Sequence, residues 1–432
     1  MPEDRCSLTT GEVLDDLEGE DAPQIWKQRY WATARDRRLI DRLLLYPRLR
    51  DQVRQSRENS PAKPWLIAEG FQPIGQNDDP KKAKPLHLTS KLFIDATSPY
   101  LDLFLSHAEC AQLPSKDLSL RRTSNPLVFR APHVLVAKGF TKVAYADFDV
   151  SFRHALRGIS GPKEDRELFI FLAAYLRSSL ARYFLFQTSS NWGISRQEVH
   201  VEELLRLPFP LPDRLPTPKR AWEIVKQISQ IVTTASTNAT QPLVNRQDVV
   251  QAATASIETL IDEYFDVLPL EKTLVDDTMR VIIPSVRPSR ANPTIPTITP
   301  STTEQQMQYV QRLCATLNGW AKNGPVSVQG HAASSSNLGI GLAVLKKIRA
   351  GDPPSAPPDD FGDLLIALDH LRQVTSQKLN TLELMRGAKV FDQDRLYLVK
   401  LIGQRFWTET AALNDADEIV GSILMQTGQG VA

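Results

Sequence analysis

Five basic side chains lie in a stretch of the chain that contains no acidic residue. Residues 118–146 have neither Asp nor Glu. The cations in this range are Arg121, Arg122, Arg130, Lys138 and Lys142. Cations along a segment without anions suit the neutralisation of nucleic-acid phosphates. The alternative is a sheet with ordinary solvent-exposed Lys and Arg side chains, and the choice depends on the elements that position them.

Two predicted elements position these cations. The segment "NPLVFRAPHVLVAKGFTKVAYAD" is rich in β-branched residues and predicts two or three short strands, broken by Pro132 and Gly139. The segment that follows, "EDRELFIFLAAYLRSSLARYFLFQT", is apolar nearly all round and predicts one long, buried core helix.

A constrained loop follows the core helix in "QTSSNWGISRQEVHVEELLRLPFPLP", residues 187–212. Gly193 permits a tight turn, and Ser195 with Glu198 fits a capping box for a short helix, which three spaced prolines then stop. The loop would carry Ser190, Asn191, Trp192 and Arg196. A loop ordered at both ends suits recognition, because little ordering entropy is lost on binding. The alternative is a structural tryptophan that fills the helix junction, with Arg196 paired to Glu198 or Glu202.

The N-terminal region is locally basic. Residues 27–57 hold ten Lys or Arg against three Asp, and they predict a helix with Leu39, Leu43 and Leu44 on one face. Leu49 and Val53 continue that face beyond Pro47. Such a helix either follows phosphates or simply covers apolar surface with its arginine stems.

Composition bounds the remaining possibilities. The chain has 432 residues and a formal net charge of +1, so any polyanion-binding surface has to be local. Its three cysteines form no metal or disulfide pattern. The acidic N-terminus is unlike a signal peptide, and no apolar run approaches the roughly 20 residues that span a bilayer. These features predict a cytoplasmic protein with no membrane partner.

Patterns typical of enzymes are missing. "NLGIGLAVLKK" lacks the spacing of a nucleotide loop, and Asp352-Pro353-Pro354 is followed by Ser355 where a methyltransferase needs an aromatic residue. No P-loop, HExxH or serine-elbow pattern occurs. His133 and His200 are interpreted as structural. The sequence therefore predicts no catalytic, cofactor-binding or metal-binding residue.

The central block resembles a known family. "PHVLVAKGF", "FRHALRGI" and "LFIFLAAYLRSSLARYFLFQTSSNWGISRQEVHVEELLRLPFPLP" are similar to the region after the catalytic domain of adenine-amino DNA methyltransferases in restriction–modification and phage-defence systems. The N-terminal "WKQRYWATARDRRLIDRLLLYPRLRD" and the C-terminal "RGAKVFDQDRLYLVKLIGQRFWTETAALNDADEIV" resemble the lead-in and tail of such proteins. The resemblance implies a target-recognition module that holds and reads DNA.

These observations predict an α+β fold: a β-rich target-recognition domain with a buried core helix, a helical spacer, and a smaller mixed C-terminal domain. The predicted boundaries are a basic helical lead-in over 1–60, the recognition domain over 61–215, the spacer over 216–285, a Pro/Thr linker over 286–303 and the C-terminal domain over 304–432. In the last domain, Leu364, Leu365, Leu368 and Leu371 form a stripe on a predicted helix, and Asn414 or Asp415 is expected to cap the final helix.

The predicted function is a non-catalytic DNA-recognition subunit that binds double-stranded DNA. Its expected partner is a separately encoded adenine DNA methyltransferase or another defence enzyme, and S-adenosylmethionine is expected on that partner and not on this chain. The main alternative is a protein–protein scaffold that kept the fold without reading DNA. A third is a degenerate methyltransferase that still binds the cofactor.

Overall fold

The computed structural model describes residues 11, 22–56, 58, 62–190, 192–193, 198–287, 294–322, 324–336, 339–353, 362, 388–392 and 394–428. The chain divides into two compact units, one of Gly19–Lys272 and one of Met1–Glu18 with Thr273–Ala432. Both units contain helices and sheets, which confirms the predicted α+β class. The finer five-part division stays a prediction.

The helices of the described residues are α1 (Ala22–Trp31), α2 (Ala34–Leu44), α3 (Arg166–Arg177), α4 (Ser179–Thr188), α5 (Val201–Leu205), α6 (Pro218–Ala239), α7 (Arg246–Tyr264), α8 (Pro269–Asp277), α9 (Ile283–Val286), α10 (Thr303–Trp320) and α11 (Glu409–Gly428). The strands are β1 (Val53–Gln55), β2 (Trp65–Glu69), β3 (Gln72–Pro73), β4 (Lys84–His87), β5 (Leu92–Ile94), β6 (Leu103–Phe104), β7 (Ala111–Gln112), β8 (Asp117–Arg122), β9 (His133–Ala137), β10 (Val143–Ala146), β11 (Ser151–Phe152), β12 (Leu156–Ser160), β13 (Val326–Ser335), β14 (Ile340–Arg349), β15 (Ala388–Asp392) and β16 (Arg395–Leu401).

The N-terminal unit is built on a six-stranded sheet of order β1-β2-β12-β9-β10-β6. Strand β12 runs antiparallel to both β2 and β9, so β2 and β9 point the same way and end at the same edge. Two small sheets complete the unit, β11-β5-β7 and β3-β8-β4. Because β9, β10 and β12 are buried along their whole length, the large sheet lies inside the unit.

The basic N-terminal segment is shorter as a helix than predicted. Thr33 and Asp36 form a reciprocal capping box at the start of α2. After α2, Leu49 lies in a 3₁₀ turn and Val53 in β1, so the predicted continuation of the helix beyond Pro47 is wrong. Both side chains are nevertheless fully buried, as an apolar face requires.

The predicted core helix is two helices. Ser178 is extended (φ −63°, ψ 156°), its hydroxyl accepts a hydrogen bond from Ala181 N at 3.2 Å, and α3 and α4 meet at a bend of 61°. The apolar stripe is buried as predicted: Leu168, Leu172, Tyr175, Leu176, Leu180, Tyr183 and Phe184. Glu258 from α7 accepts the Ser179 N–H at 2.9 Å and helps to hold the break.

Among the described residues, no single helix has the length and apolar character to cross a membrane. One bent pair, Lys163–Arg177 with Ser179–Thr188, meets the length and composition requirement when the two helices are taken together.

Other local predictions have mixed outcomes. The segment after Asn125 begins with a 3₁₀ turn, Pro126–Phe129, and only then enters β9 and β10. Helices α6, α7 and α8 and the π-helical turn Thr278–Ile282 confirm that residues 220–282 are mainly helical, as the predicted spacer requires. Within the predicted linker, Ser301 N donates to Ile402 O at 2.8 Å, so residues near 300 pack against the turn after β16.

The C-terminal unit contains an antiparallel sheet of order β13-β14-β16-β15 and the helices α10 and α11. Strands β13 and β14 pair antiparallel, and so do β15 and β16, in the region predicted to be a mixed domain. Helix α11 begins at Glu409, so neither Asn414 nor Asp415 caps it; Asp415 instead accepts a hydrogen bond from Tyr309 Oη at 2.6 Å. The leucine stripe of Leu364, Leu365, Leu368 and Leu371 lies outside the described residues.

Candidate nucleic-acid interface

Several basic residues surround one carboxylate at an edge of the large sheet. Glu69 ends β2, and its carboxylate contacts Lys138 Nζ at 2.7 Å and the Arg122 guanidinium. Arg153 and His154 lie in the turn between β11 and β12, and the charges of Glu69, Arg122 and Lys138 act on His154. We call Glu69, Arg122, Lys138, Arg153 and His154 the Glu69 cluster.

Sheet register brings this cluster together. Arg157 at the start of β12 pairs with Glu69 on one side and with Val136 on the other. The ends of β2 and β9 therefore meet the β11–β12 turn at one edge. Gly70 is required for this approach, because a Cβ atom there would lie 2.1 Å from Phe152 O. The backbone then locks the turn in place, with His154 N donating to Phe71 O at 3.0 Å.

The electrostatics of the cluster favour an ionised Glu69. Burial raises the pKa of Glu69, but hydrogen bonds and charges from Lys138 and Arg122 outweigh it, so the pKa lies below its ordinary value. Burial and the charges of Lys138 and Arg122 together lower the pKa of His154. The lowered pKa favours the neutral form of His154, and the cluster contains three cations, Arg122, Lys138 and Arg153, and one carboxylate.

Hydrogen-bonding capacity in and beside the cluster is not fully used. Among the described residues, His154 Nδ1 and Arg157 Nε are buried and have no hydrogen-bond partner. Arg157 is 3% exposed, and its Nη1 donates to Val199 O. Burial lowers the pKa of Arg157, while Glu69 and the glutamates of the segment 198–203 oppose that shift. Unpaired buried donors are costly, which marks this edge as a place for a polar ligand or water.

Trp192 and Val199, which lie before and after residues 194–197, both contact the chain beside Lys138. Val199 N donates to Lys138 O at 2.9 Å, and Trp192 Nε1 donates to Gly139 O at 3.1 Å. The loop and the cluster therefore share one edge of the sheet. The cation-rich strand β9 and the described ends of the loop over 187–200 therefore meet at one place in the fold.

Trp192 does not project from this loop, so its predicted placement is wrong. Its side chain is 7% exposed and packs edge-on against Phe140, with ring centroids 6.2 Å apart. Gly193 has φ +82°, and a Cβ there would lie 2.7 Å from the Phe186 ring. The alternative, a tryptophan that fills the helix junction, describes its position.

A buried lysine anchors the same turn. Lys27 in α1 is 4% exposed, and its Nζ donates to Phe186 O at 2.7 Å and to Trp192 O at 2.8 Å. Burial lowers its pKa to about 7, with the charge of Glu203 acting in the opposite direction. Lys27 thus ties the N-terminal helix to the end of α4 and to the tryptophan turn.

Glu203 holds the polar side of the turn. Its Oε1 accepts from Ser190 N at 2.6 Å and from Ser190 Oγ at 2.7 Å, and its Oε2 accepts from His200 N at 2.8 Å. The short helix α5 therefore begins after His200, and the predicted Ser195–Glu198 capping box gives way to His200 and Glu203. Ser190 is exposed, whereas Asn191, Ser195 and Arg196 lie outside the described residues.

The other predicted cations are distributed over two surfaces. Lys142 Nζ donates to the carbonyls of Thr97 and Ser98, both at 2.8 Å, so Lys142 ties down the 96–98 turn. Arg130 is exposed next to the 3₁₀ turn that precedes β9. The roles of Lys142 and Arg130 in DNA binding stay predictions.

An exposed flap adds further positive charge. We define the flap as the β3-β8-β4 sheet with the 3₁₀ turn Pro80–Lys82. Lys81, Lys82 and Lys84 are exposed on it, and Arg121 Nη1 lies 3.6 Å from Asp78 Oδ1. Strand β8 ends in Arg122, so the flap is continuous with the Glu69 cluster.

The two histidines interpreted as structural lie apart from each other. His133 is fully buried, with ring nitrogens 3.0 Å from Val128 O and 3.2 Å from Phe148 O, and burial lowers its pKa. His200 is exposed at the N-cap of α5. In the part of the chain that the structure describes, no group of three or more His, Cys, Asp or Glu is placed to hold a metal ion.

Three residues of this region were missed by sequence reasoning: Glu69, Arg153 and Lys27. Glu69 is a single acid in an otherwise apolar strand, "WLIAE", and Arg153 follows a buried phenylalanine in a two-residue strand. Neither pattern indicates a site by itself. The only available signal was the count of cations in 27–57, which includes Lys27 but does not distinguish it.

Comparison with known proteins gives distant similarity. No protein-family model matches the chain, and no curated protein matches it. Among solved structures, the HsdS subunit from Thermoanaerobacter tengcongensis matches with 12% identity over 59% of this chain and 55% of that chain, at a TM-score of 0.21. A structure reported on the assembly and conformational transition of the type I R-M system matches with the same identity, coverage and TM-score.

The chain thus spans about half the length of the two structures that it matches. An identity of 12% and a TM-score of 0.21 are too low to establish a shared function.

Proposed function

We propose that this chain is a non-catalytic DNA-recognition subunit that binds duplex DNA with the Glu69 cluster and the adjoining flap. The observation that carries the proposal is the pairing of Arg122 and Lys138 with one carboxylate at a sheet edge, with Arg153 in the adjoining turn. An excess of positive charge on a rigid edge suits the regular phosphates of a duplex. Side chains of the loop that follows α4, Ser190 among them, are proposed to reach base edges beside these phosphate contacts.

The proposal assigns bond-making chemistry to a partner. The sequence lacks the glycine-rich loop and the aromatic-tipped proline motif that an adenine methyltransferase needs. We therefore expect a separately encoded adenine DNA methyltransferase or other defence enzyme as the partner, with S-adenosylmethionine bound there. Calorimetry of this chain with S-adenosylmethionine is expected to show no binding heat; a binding isotherm would favour the degenerate methyltransferase instead.

Salt-titrated binding of a fluorescent DNA duplex tests the proposal. Three phosphate contacts predict a log–log slope of about −2.7, so affinity falls roughly 40-fold between about 50 and about 200 mM salt. The measurement is fluorescence anisotropy across that range. A chain that shows no affinity for duplex DNA even at the lowest salt would contradict the proposal.

One observation favours the alternative, a protein–protein scaffold. The C-terminal unit has an apolar groove of about 470 Å³, and exposed aromatic and aliphatic side chains line it: Trp320, Phe391, Ile423 and Leu424. Exposed apolar surface of this kind is typical of a site that buries an amphipathic helix of a partner subunit. The DNA titration separates the two functions, because a pure scaffold has no salt-dependent affinity for DNA.

A further inference from the structure

Glu69 occupies the position at which the proposed function requires a phosphate. Both of its carboxylate oxygens are engaged by cations, Oε1 by Lys138 at 2.7 Å and Oε2 by Arg122. A carboxylate and a phosphodiester each carry one negative charge and accept the same charge-assisted hydrogen bonds. A phosphate that binds Arg122 and Lys138 must therefore compete with the Glu69 carboxylate, which already accepts hydrogen bonds from both.

The position of this carboxylate is fixed by the fold. Residue 69 pairs with Arg157 in the sheet, its carbonyl accepts a hydrogen bond from Ser124 Oγ, and Gly70 N donates to Leu156 O at 3.0 Å. The Glu69 side chain is only 25% exposed, whereas that of Arg122 is 51% exposed. Arg122 can thus follow an incoming phosphate more easily than Glu69 can leave.

The groups around Glu69 retain further capacity for an anion. Arg153 has its guanidinium 5.6 Å from the centroid of the Phe93 ring. His154 Nδ1 and Arg157 Nε have no hydrogen-bond partner among the described residues. Arg153 is exposed, and its charge acts on His154 together with the charges of Arg122 and Lys138.

We propose that Glu69 is an intramolecular competitor for a DNA phosphate, which occupies the Arg122–Lys138 pair in the free protein and thereby limits non-specific affinity for DNA. The inference rests on the proposed function and identifies Glu69 as a residue that sets how strongly the chain binds DNA. Contacts formed elsewhere on a correct target compensate for displacement of the carboxylate, whereas a random sequence offers no such compensation.

The test is the substitution Glu69→Gln, which keeps the size and an acceptor oxygen but removes the charge. We expect affinity for a random-sequence duplex to rise on the order of tenfold, because Arg122 and Lys138 no longer have to release a carboxylate. The matched control is Glu263→Gln. Glu263 also pairs with an arginine, Arg220, and is exposed on a helix pair outside the cluster. The control is expected to bind DNA like the wild type.

The outcomes separate the inference from the proposed function. If the wild type binds DNA and Glu69→Gln binds no better, or if Glu263→Gln gains as much, the competitor role is wrong while DNA binding stands. If neither wild type nor Glu69→Gln binds DNA, the proposed function fails, and calorimetry with inorganic pyrophosphate decides the rest. Tighter pyrophosphate binding by Glu69→Gln than by wild type would support an anion site at Arg122 and Lys138. Equal binding would contradict it. Should Glu69→Gln fail to fold, as judged by circular dichroism, Glu69→Ala provides the same comparison.

Discussion

Trp192→Ala is expected to destabilise the N-terminal unit by about 3–5 kcal/mol, the range for removal of a large buried aromatic side chain. The indole is 7% exposed, packs on Phe140, and donates to Gly139 O at 3.1 Å. Truncation opens a cavity at the junction of α4 and the β9–β10 turn and leaves the carbonyl of Gly139 without this donor.

Trp192→Phe provides the graded control. It keeps most of the packing and loses the hydrogen bond, so a cost on the order of 1 kcal/mol is expected. Urea denaturation followed by circular dichroism measures both variants. A tryptophan that served DNA directly would give the opposite pattern: unchanged stability in Trp192→Ala with reduced DNA affinity.

Lys27→Met is expected to cost about 3 kcal/mol at pH 7, because two buried carbonyls lose charge-assisted hydrogen bonds. These are the carbonyls of Phe186 and Trp192, at 2.7 and 2.8 Å from Lys27 Nζ. Part of this loss in unfolding free energy is offset, because the variant no longer buries an ammonium group whose desolvation opposes folding.

The pH dependence of stability identifies this lysine. Burial lowers its pKa from 10.5 to about 7, so between these values the unfolded chain binds a proton that the folded chain does not. Stability contributed by Lys27 therefore rises with pH from about 7 towards 10.5. The difference in unfolding free energy between wild type and Lys27→Met should grow from pH 7 to pH 9.

Lys226→Met, at an exposed site on α6, is the control, and its free energy of unfolding should equal that of the wild type at each pH. Parallel stability curves for wild type and Lys27→Met would show that Lys27 has the same protonation state in the folded and the unfolded chain.

Sequence patterns predicted the local elements well, because each depends on nearby residues. The buried stripe of α3 and α4 follows from helical periodicity, and β9 and β10 follow from β-branched residues beside Pro132 and Gly139. The break at Ser178 was not predictable in this way, since Glu258 from another helix holds the Ser179 N–H.

The candidate site was predicted only in part, because it depends on contacts between distant residues. Arg122 and Lys138 were identified by their setting between Asp117 and Asp147, but their shared partner Glu69 lies in β2 and reaches them through sheet register. Trp192 was expected at the surface, and Lys27, 165 residues earlier, helps to fix it inside. The charge pattern indicated which segment to consider, and only the fold shows which cations meet.

The central claim is that a duplex phosphate backbone lies on the Glu69 cluster. Its most direct test is the salt dependence of duplex binding by the triple variant Arg122→Gln, Lys138→Gln, Arg153→Gln. A control with the same charge loss, Arg214→Gln, Lys219→Gln, Lys226→Gln, changes one exposed residue in the 3₁₀ turn before α6 and two exposed residues on α6. Glutamine retains hydrogen bonding to Glu69 and so limits the loss of stability.

If the duplex lies on the Glu69 cluster, the log–log slope of the cluster variant is shallower than that of wild type by about 2.7, while the control keeps nearly the wild-type slope. Parallel slopes for wild type and the cluster variant, or an equal loss in the control, would show that the phosphates lie elsewhere.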